Sequence, residues 1–110
     1  MSVRTSSELT HIFGSAATAT ISIVPAVPLL KVYLYRLILT VGSPGVTVTL
    51  RDSSGAAISQ PFAMAANAAM ILDTATNFDP WWQTAPGLGL QIFQSGTTTI
   101  GYDFYVLQGP

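Results

Sequence analysis

Turn-forming residues divide the chain into short segments in which apolar and polar side chains alternate. The clusters GSPG at residues 42–45, DSSG at 52–55 and SG at 95–96 separate such segments. A two-residue period is that of a β-strand with one buried face. No segment has both the length and the 3.6-residue period of a helix that is stable alone. The pattern predicts an all-β fold, an antiparallel β-sandwich or barrel of about seven to eight short strands, and leaves an immunoglobulin-like topology open.

Composition limits the functions open to the chain. Of its 110 residues, 49% are apolar and 8% are charged, and four Lys and Arg are spread along the sequence. So few basic residues cannot neutralise a run of phosphates, so we expect no nucleic-acid partner. Cysteine is absent. The usual zinc ligand sets therefore cannot be assembled, and we expect no metal centre and no cofactor.

The most apolar stretch, residues 21–41, is a poor candidate for a membrane span. It contains Pro25, Pro28, Lys31 and Arg36 and is dense in β-branched residues. A spanning helix needs roughly 20 mostly apolar residues without such interruptions. We expect no membrane segment, and Arg4, Glu8 and His11 likewise interrupt any signal peptide at the N-terminus.

The chain is expected to consist of an N-terminal arm at residues 1–16 and a β-sandwich domain at residues 17–110. The arm shows no sustained alternation, whereas Thr18, Thr20 and Ser22 alternate with apolar residues directly after it. Segments of this kind order when they meet a partner.

The strongest predicted strand, at residues 30–41, looks apolar on both faces. The two faces comprise Tyr33, Tyr35, Leu37, Leu39 and Val41 on one side and Leu30, Val32, Leu34 and Ile38 on the other. A strand with two apolar faces is expected to be covered on both sides. Because charges are sparse, we expect another subunit to supply part of the cover, which predicts a homo-oligomer, with a trimer favoured.

The sequence offers little for catalysis, so a non-enzymatic protein is predicted. His11 is the single histidine and lies in the predicted arm. A catalytic triad needs its histidine placed by a rigid scaffold. Asp52 lies in a turn, where its carboxylate is expected to accept backbone N–H bonds. Asp73 and Asp79 flank one loop, which leaves a shared calcium ion as an open alternative.

The dipeptide Trp81-Trp82 lies in the predicted loop at residues 74–87. Adjacent side chains of an extended segment point to opposite sides, so one ring can close the sandwich while the other faces out. We favour core packing together with a subunit contact, and sugar stacking is the alternative. The candidate subunit-interface residues are Leu30, Val32, Tyr33, Tyr35, Trp81, Trp82 and Tyr105.

The segments YRLILTV (35–41), VTVTLRD (46–52), PFAMAAN (61–67), ILD (71–73), PWWQT (80–84) and the closing strand at 101–106 occur in this order. In this order, residues 34–105 resemble small bacteriophage virion proteins. The resemblance implies a jelly-roll sandwich, often trimeric, that decorates a capsid or belongs to a tail or fibre. A fold of this kind specifies structure better than it specifies a role.

The resemblance leads to the expected function, a capsid decoration (cement) protein made in the host cytoplasm and carried on the virion surface. Its partners would be other copies of itself and the major capsid protein. The arm is the expected capsid contact, through Arg4, Glu8, His11 and Phe13. The alternative is a tail or fibre domain that binds host carbohydrate through the Trp81-Trp82 loop.

Overall fold

The computed structural model describes residues 9–73 and 79–110, and nine β-strands form its framework. In chain order these are β1 (Thr10–Ala16), β2 (Thr20–Val24), β3 (Lys31–Val41), β4 (Val46–Asp52), β5 (Phe62–Met64), β6 (Ala69–Leu72), β7 (Trp82–Gln83), β8 (Leu90–Gln94) and β9 (Ile100–Gly109). Over these two ranges, the chain contains no helix with the length and apolar character needed to cross a membrane.

The strands form two antiparallel sheets. Sheet 1 has the order β1-β9-β3-β6, with the short β7 also paired to β3, and sheet 2 has the order β2-β8-β4-β5. Each strand of one sheet is followed or preceded in the chain by a strand of the other, as β1 by β2, β3 by β4 and β8 by β9. Eight strands alternating between two sheets in this order form a jelly roll. The predicted all-β sandwich is confirmed, and the strand order excludes an immunoglobulin-like topology.

The core lies between the sheets and is built from the inward side chains of the long strands. In β4 and β8 the burial alternates strictly, as the two-residue period predicts. The most completely buried apolar side chains are Val32, Leu34, Leu37, Leu39, Val48, Leu50, Leu90, Ile92, Ile100, Phe104 and Val106. β5 begins at Phe62, directly after Pro61, which has no N–H to donate to a neighbouring strand.

A bulge in β3 explains why this strand looked apolar on both faces. Leu34 pairs with Val106 but Arg36 pairs with Tyr105, so one extra residue is inserted at Tyr35. Before the inserted residue the even-numbered side chains point into the core, and after it the odd-numbered side chains do. Val32 and Leu34 are buried before the bulge, and Leu37, Leu39 and Val41 are buried after it. The prediction of two apolar faces was therefore wrong, and with it the argument that a subunit must cover the second face.

The predicted arm is partly a strand. Residues 10–16 form β1, which pairs along its whole length with β9, from Thr10 opposite Val106 to Ala16 opposite Ile100. Polar/apolar alternation is weak in this segment because β1 is an edge strand with five of its seven residues exposed. Leu9, directly before β1, is buried, and residues 1–8 of the predicted arm, including Arg4 and Glu8, lie outside the described residues.

Gln94 connects the loops at one end of the sandwich. Its side chain is 1% exposed, and its Nε2 donates to the carbonyl oxygens of Thr18 (2.9 Å) and Thr98 (2.8 Å). Its Oε1 accepts from the Thr98 N–H at 3.0 Å, and the Thr98 hydroxyl donates to the Pro44 carbonyl at 2.7 Å. Buried polar groups are stable only when paired. Gln94 and Thr98 thus link the β1–β2, β3–β4 and β8–β9 connections.

At the opposite end, Asp52 organises the turn after β4 as the sequence predicts. Its Oδ1 accepts from the Ser54 N–H (2.9 Å), the Ser54 hydroxyl (2.6 Å) and the Ala56 N–H (3.1 Å). Burial raises the pKa of this carboxyl, but the hydrogen bonds from Ser54, Ala56 and Gly55 outweigh it and leave the pKa below its ordinary value of 3.8. The charged form is the one that the turn stabilises.

We expect Asp52→Ala to lower the free energy of unfolding at pH 7 by about 1–2 kcal/mol, because hydrogen bonds to a charged acceptor are lost. Since the pKa is lowered in the folded state, this stabilisation is present above pH 3.8 and declines as the pH falls through the folded-state pKa. Urea unfolding of both proteins at several pH values checks this. A stability difference that grows as the pH falls below 3.8 would contradict it.

Candidate interaction surface

The outer face of sheet 1 carries the largest group of exposed apolar and aromatic side chains among the described residues. Antiparallel register aligns the outward residues of β1, β9, β3 and β6 into rows that cross the sheet. The polar row comprises His11, Tyr105, Arg36 and Asp73. The apolar row comprises Phe13, Asp103, Ile38 and Ile71.

The polar row is connected by short contacts. The His11 ring stacks on Tyr105 with centroids 4.5 Å apart and an interplanar angle of 10°. Arg36 lies 5.8 Å above the same tyrosine ring and forms an ion pair with Asp73 at 2.5 Å. His11 Nε2 lies 2.6 Å from Asp103 Oδ1, which joins this row to its neighbour. Arg36 therefore has an acidic partner within the chain, and the His11 ring contacts the carboxylate of the neighbouring row.

The apolar row places three large side chains in solvent on one line. Phe13 is 69% exposed, Ile38 is 42% exposed and Ile71 is 67% exposed. Beside them lies a shallow depression of about 340 Å³, where the small residues Ser15, Thr40 and Gly101 follow in the next row. Ile38 and Ile71 are neighbours across β3 and β6, whereas Asp103 lies between Ile38 and Phe13. Large apolar side chains exposed on one face and interleaved with polar ones make this face a candidate interaction surface.

The outer face of sheet 2 differs in character. Its outward residues are mostly small and polar, with Thr20, Ser22, Thr47 and Thr49 among them. The one large ring, Phe93, is covered by the Arg51 guanidinium at 3.5 Å from the ring centroid. The stacked cation shields this ring, so sheet 2 presents no comparable apolar group.

Two of the predicted capsid contacts and one predicted subunit contact lie together on sheet 1. His11 and Phe13 are exposed on β1, and Tyr105 is half-buried between His11 and Arg36. Val32 is 1% exposed and Tyr35 is 4% exposed, so both belong to the core of a single chain. The prediction that these two residues form a subunit interface was therefore wrong, and the β3 bulge is the reason.

Trp81 and Trp82 have different environments. Trp82 belongs to β7, pairs with Leu34 and packs against the core, with the Phe62 ring 6.0 Å away. Trp81 is anchored by its N–H to the Leu34 carbonyl at 2.7 Å, but its side chain stays 42% exposed. One ring closes the sandwich and the other faces solvent, as the sequence predicts. Leu30 and Tyr33, the other interface candidates, are half-buried.

The residues considered for chemistry are separated. Asp73 is paired with Arg36, Asp79 is exposed, and residues 74–78 between them are not described. Within the described ranges, no three or more His, Asp or Glu side chains come together as metal ligands would. The contact between His11 and Asp103 was not predicted, because it follows from the pairing of β1 with β9.

Arg36, Ile38, Ile71 and Asp103 are the surface residues that sequence reasoning did not identify as part of a site. Each looked like an ordinary strand residue, and only the register brings them into two adjacent rows. Comparison with family models, with curated proteins and with solved structures finds no match to this chain. Its function must therefore be argued from the surface itself.

Proposed function

We propose that this chain is a non-enzymatic, homo-oligomeric virion protein that decorates the outside of a bacteriophage capsid. In this proposal the outer face of sheet 1 binds the shell. The observation that carries it is the line of Phe13, Ile38 and Ile71, which are exposed on one face of a rigid sheet. Jelly rolls also occur in viral capsid and lectin domains, which agrees with the proposal at the level of fold only.

The surface has the composition of a binding site for another protein. Covering the three apolar side chains would contribute about 1–2 kcal/mol each, because part of each is already buried. The neighbouring His11, Tyr105 and Arg36 supply the aromatic and arginine character that is enriched at protein interfaces. Arg36 is already paired with Asp73 within the chain, so its charge has a partner when the surface is covered.

A protein that binds only the assembled shell stabilises it by mass action. At a free concentration of 100 times Kd, each site contributes about 2.7 kcal/mol. Arg4 and Glu8 remain candidate shell contacts from the residues before β1. The trimer that the family resemblance implies is a separate prediction, and the mass in solution distinguishes it from the dimer proposed below.

Co-sedimentation with undecorated capsids tests the proposal. We expect Ile38→Lys to weaken shell binding by at least about tenfold, because a charge replaces an apolar contact at the centre of the row. Thr49→Lys is the matched control, since Thr49 lies on the outer face of sheet 2, in β4, the strand that pairs with β8 and β5. Equal binding of both variants, or loss of binding in Thr49→Lys alone, would contradict the assignment of this face.

Carbohydrate binding by a tail or fibre domain is the second candidate, favoured by the 42% exposure of Trp81. A single exposed ring offers one stacking surface for a sugar. Quenching of tryptophan fluorescence by host glycans, abolished in Trp81→Phe or Trp81→Ala, would support this candidate. Failure of glycans to change the fluorescence would argue against it.

A further inference from the structure

Among the described residues, no strand pairs with the outer edge of β1 in sheet 1. β1 is the outermost strand on this side, and one edge of its backbone faces away from β9. The strand has seven residues, five of them exposed, and its sequence THIFGSA contains no Lys, Arg, Asp, Glu or Pro. Natural proteins usually protect such an edge with charge, proline, a bulge or a very short strand. β1 has none of these protections.

The other edges among the described residues are protected. In sheet 2, β5 is three residues long and follows Pro61, while β2 contains a register irregularity between Ser22 and Val24 and ends before Pro25. On the far side of sheet 1, the edge is divided between the four-residue β6 and the two-residue β7. The contrast between β1 and these edges points to β1 as a pairing strand.

We propose that β1 pairs antiparallel with β1 of a second copy of this chain, around a two-fold axis at Phe13. Phe13 is the central residue of the strand, so this register uses all seven residues of both copies. It places Phe13 opposite Phe13, His11 opposite Ser15 and Ile12 opposite Gly14. An aromatic pair lies at the centre, and no like charges face each other in β1.

The side chains on the core-facing side of β1 are compatible with this register. A Cβ at Gly14 would lie 2.8 Å from the Tyr102 hydroxyl, so the tyrosine ring already occupies the space beside the glycine. Ile12 of the second copy would then meet this ring and cover it. Pairing also extends sheet 1 continuously across both copies, which doubles the line of Phe13, Ile38 and Ile71. Edge addition of this kind is a recognised mode of protein association.

The mass in solution is the primary test, measured by light scattering coupled to size-exclusion chromatography. We expect the natural chain to have twice the 11.6 kDa mass, or a larger even multiple of it. Phe13→Lys should halve that mass, because two like charges would face each other at the axis. A monomer or a trimer of the natural chain, or a natural mass that Phe13→Lys leaves unchanged, would overturn the proposal.

Ile71→Lys is the matched control. Ile71 is 67% exposed against 69% for Phe13, and it lies in the same row of the same face but on the opposite edge strand. Edge pairing predicts that Ile71→Lys keeps the natural mass. If Ile71→Lys halves the mass as well, the copies associate face to face and the edge proposal is wrong. Circular dichroism of both variants verifies that each is folded.

Mixing two variants tests the register. Phe13→Lys and Phe13→Glu should each have half the natural mass, and an equimolar mixture should recover the natural mass because opposite charges then meet at the axis. A mixture that stays at half the natural mass, while both chains are folded, would contradict the Phe13-to-Phe13 register.

This inference can fail independently of the proposed function. A chain that forms even-numbered oligomers but does not bind shells would contradict capsid decoration and leave the pairing of β1 intact. A monomer or trimer that binds shells would contradict the pairing of β1 and support capsid decoration.

Discussion

Replacing Trp82 with alanine is expected to lower the free energy of unfolding by about 2–4 kcal/mol, somewhat less than for a fully buried aromatic residue. The ring packs against the core and the edge of Phe62, and its strand β7 pairs with β3 at Leu34. Removing it would leave a cavity where the β6–β8 connection closes over the core. Thermal melting should show a decrease in Tm of roughly 10–20 °C.

Trp81→Ala is the control for this prediction. The two residues are adjacent, but Trp81 is 42% exposed, so its loss should cost about 1 kcal/mol or less. Equal destabilisation by the two substitutions would mean that both rings are buried, for instance by a partner subunit. A stable Trp81→Ala protein that loses glycan binding would support the carbohydrate candidate.

Gln94→Leu is expected to lower the free energy of unfolding by about 2–4 kcal/mol, although leucine is apolar and close in size. The reason is that the substitution leaves buried groups without partners, among them the Thr98 N–H and the carbonyl of Thr98. Loops from three connections lose their common link at the same time. Urea unfolding measures the loss directly.

Gln91→Leu provides the comparison within the same strand. Gln91 pairs with Ser22 and Arg51, and it lies half-exposed on the outer face of sheet 2. Its replacement should change stability by no more than about 0.5 kcal/mol. A Gln94→Leu protein as stable as Gln91→Leu would show that the hydrogen bonds of Gln94 contribute nothing net to the fold.

The positions of strands could be predicted where one face of the strand is buried and the other is exposed to solvent. Alternation in β4 and β8 and the turn at Asp52 follow directly from local chemistry, because side-chain period and turn preference act over a few residues. The jelly-roll order agrees with the expectation that came from the family resemblance. The edge strand β1 was missed because only Ile12 and Ala16 of its seven residues are partly buried, so its sequence lacks the regular alternation that reveals a strand.

The candidate surface could not be predicted in the same way. Whether Ile38 faces the core or solvent depends on the bulge at Tyr35, and no local pattern in the sequence reveals that one residue is inserted. The contacts of His11 with Asp103 and of Arg36 with Asp73 depend on the register of strands that are distant in the chain. The pairing of strands distant in the chain determines which residues meet on the surface, whereas local alternation of side chains determines where the strands lie.

We propose that this jelly roll binds the outside of a capsid through the outer face of sheet 1. Electron cryomicroscopy of shells saturated with the protein tests it most directly. We expect two-sheet density on the exterior of the shell, with Phe13, Ile38 and Ile71 buried against it. Density confined to the tail, no density on the shell at saturating concentration, or a bound sandwich whose sheet 1 faces solvent would contradict it.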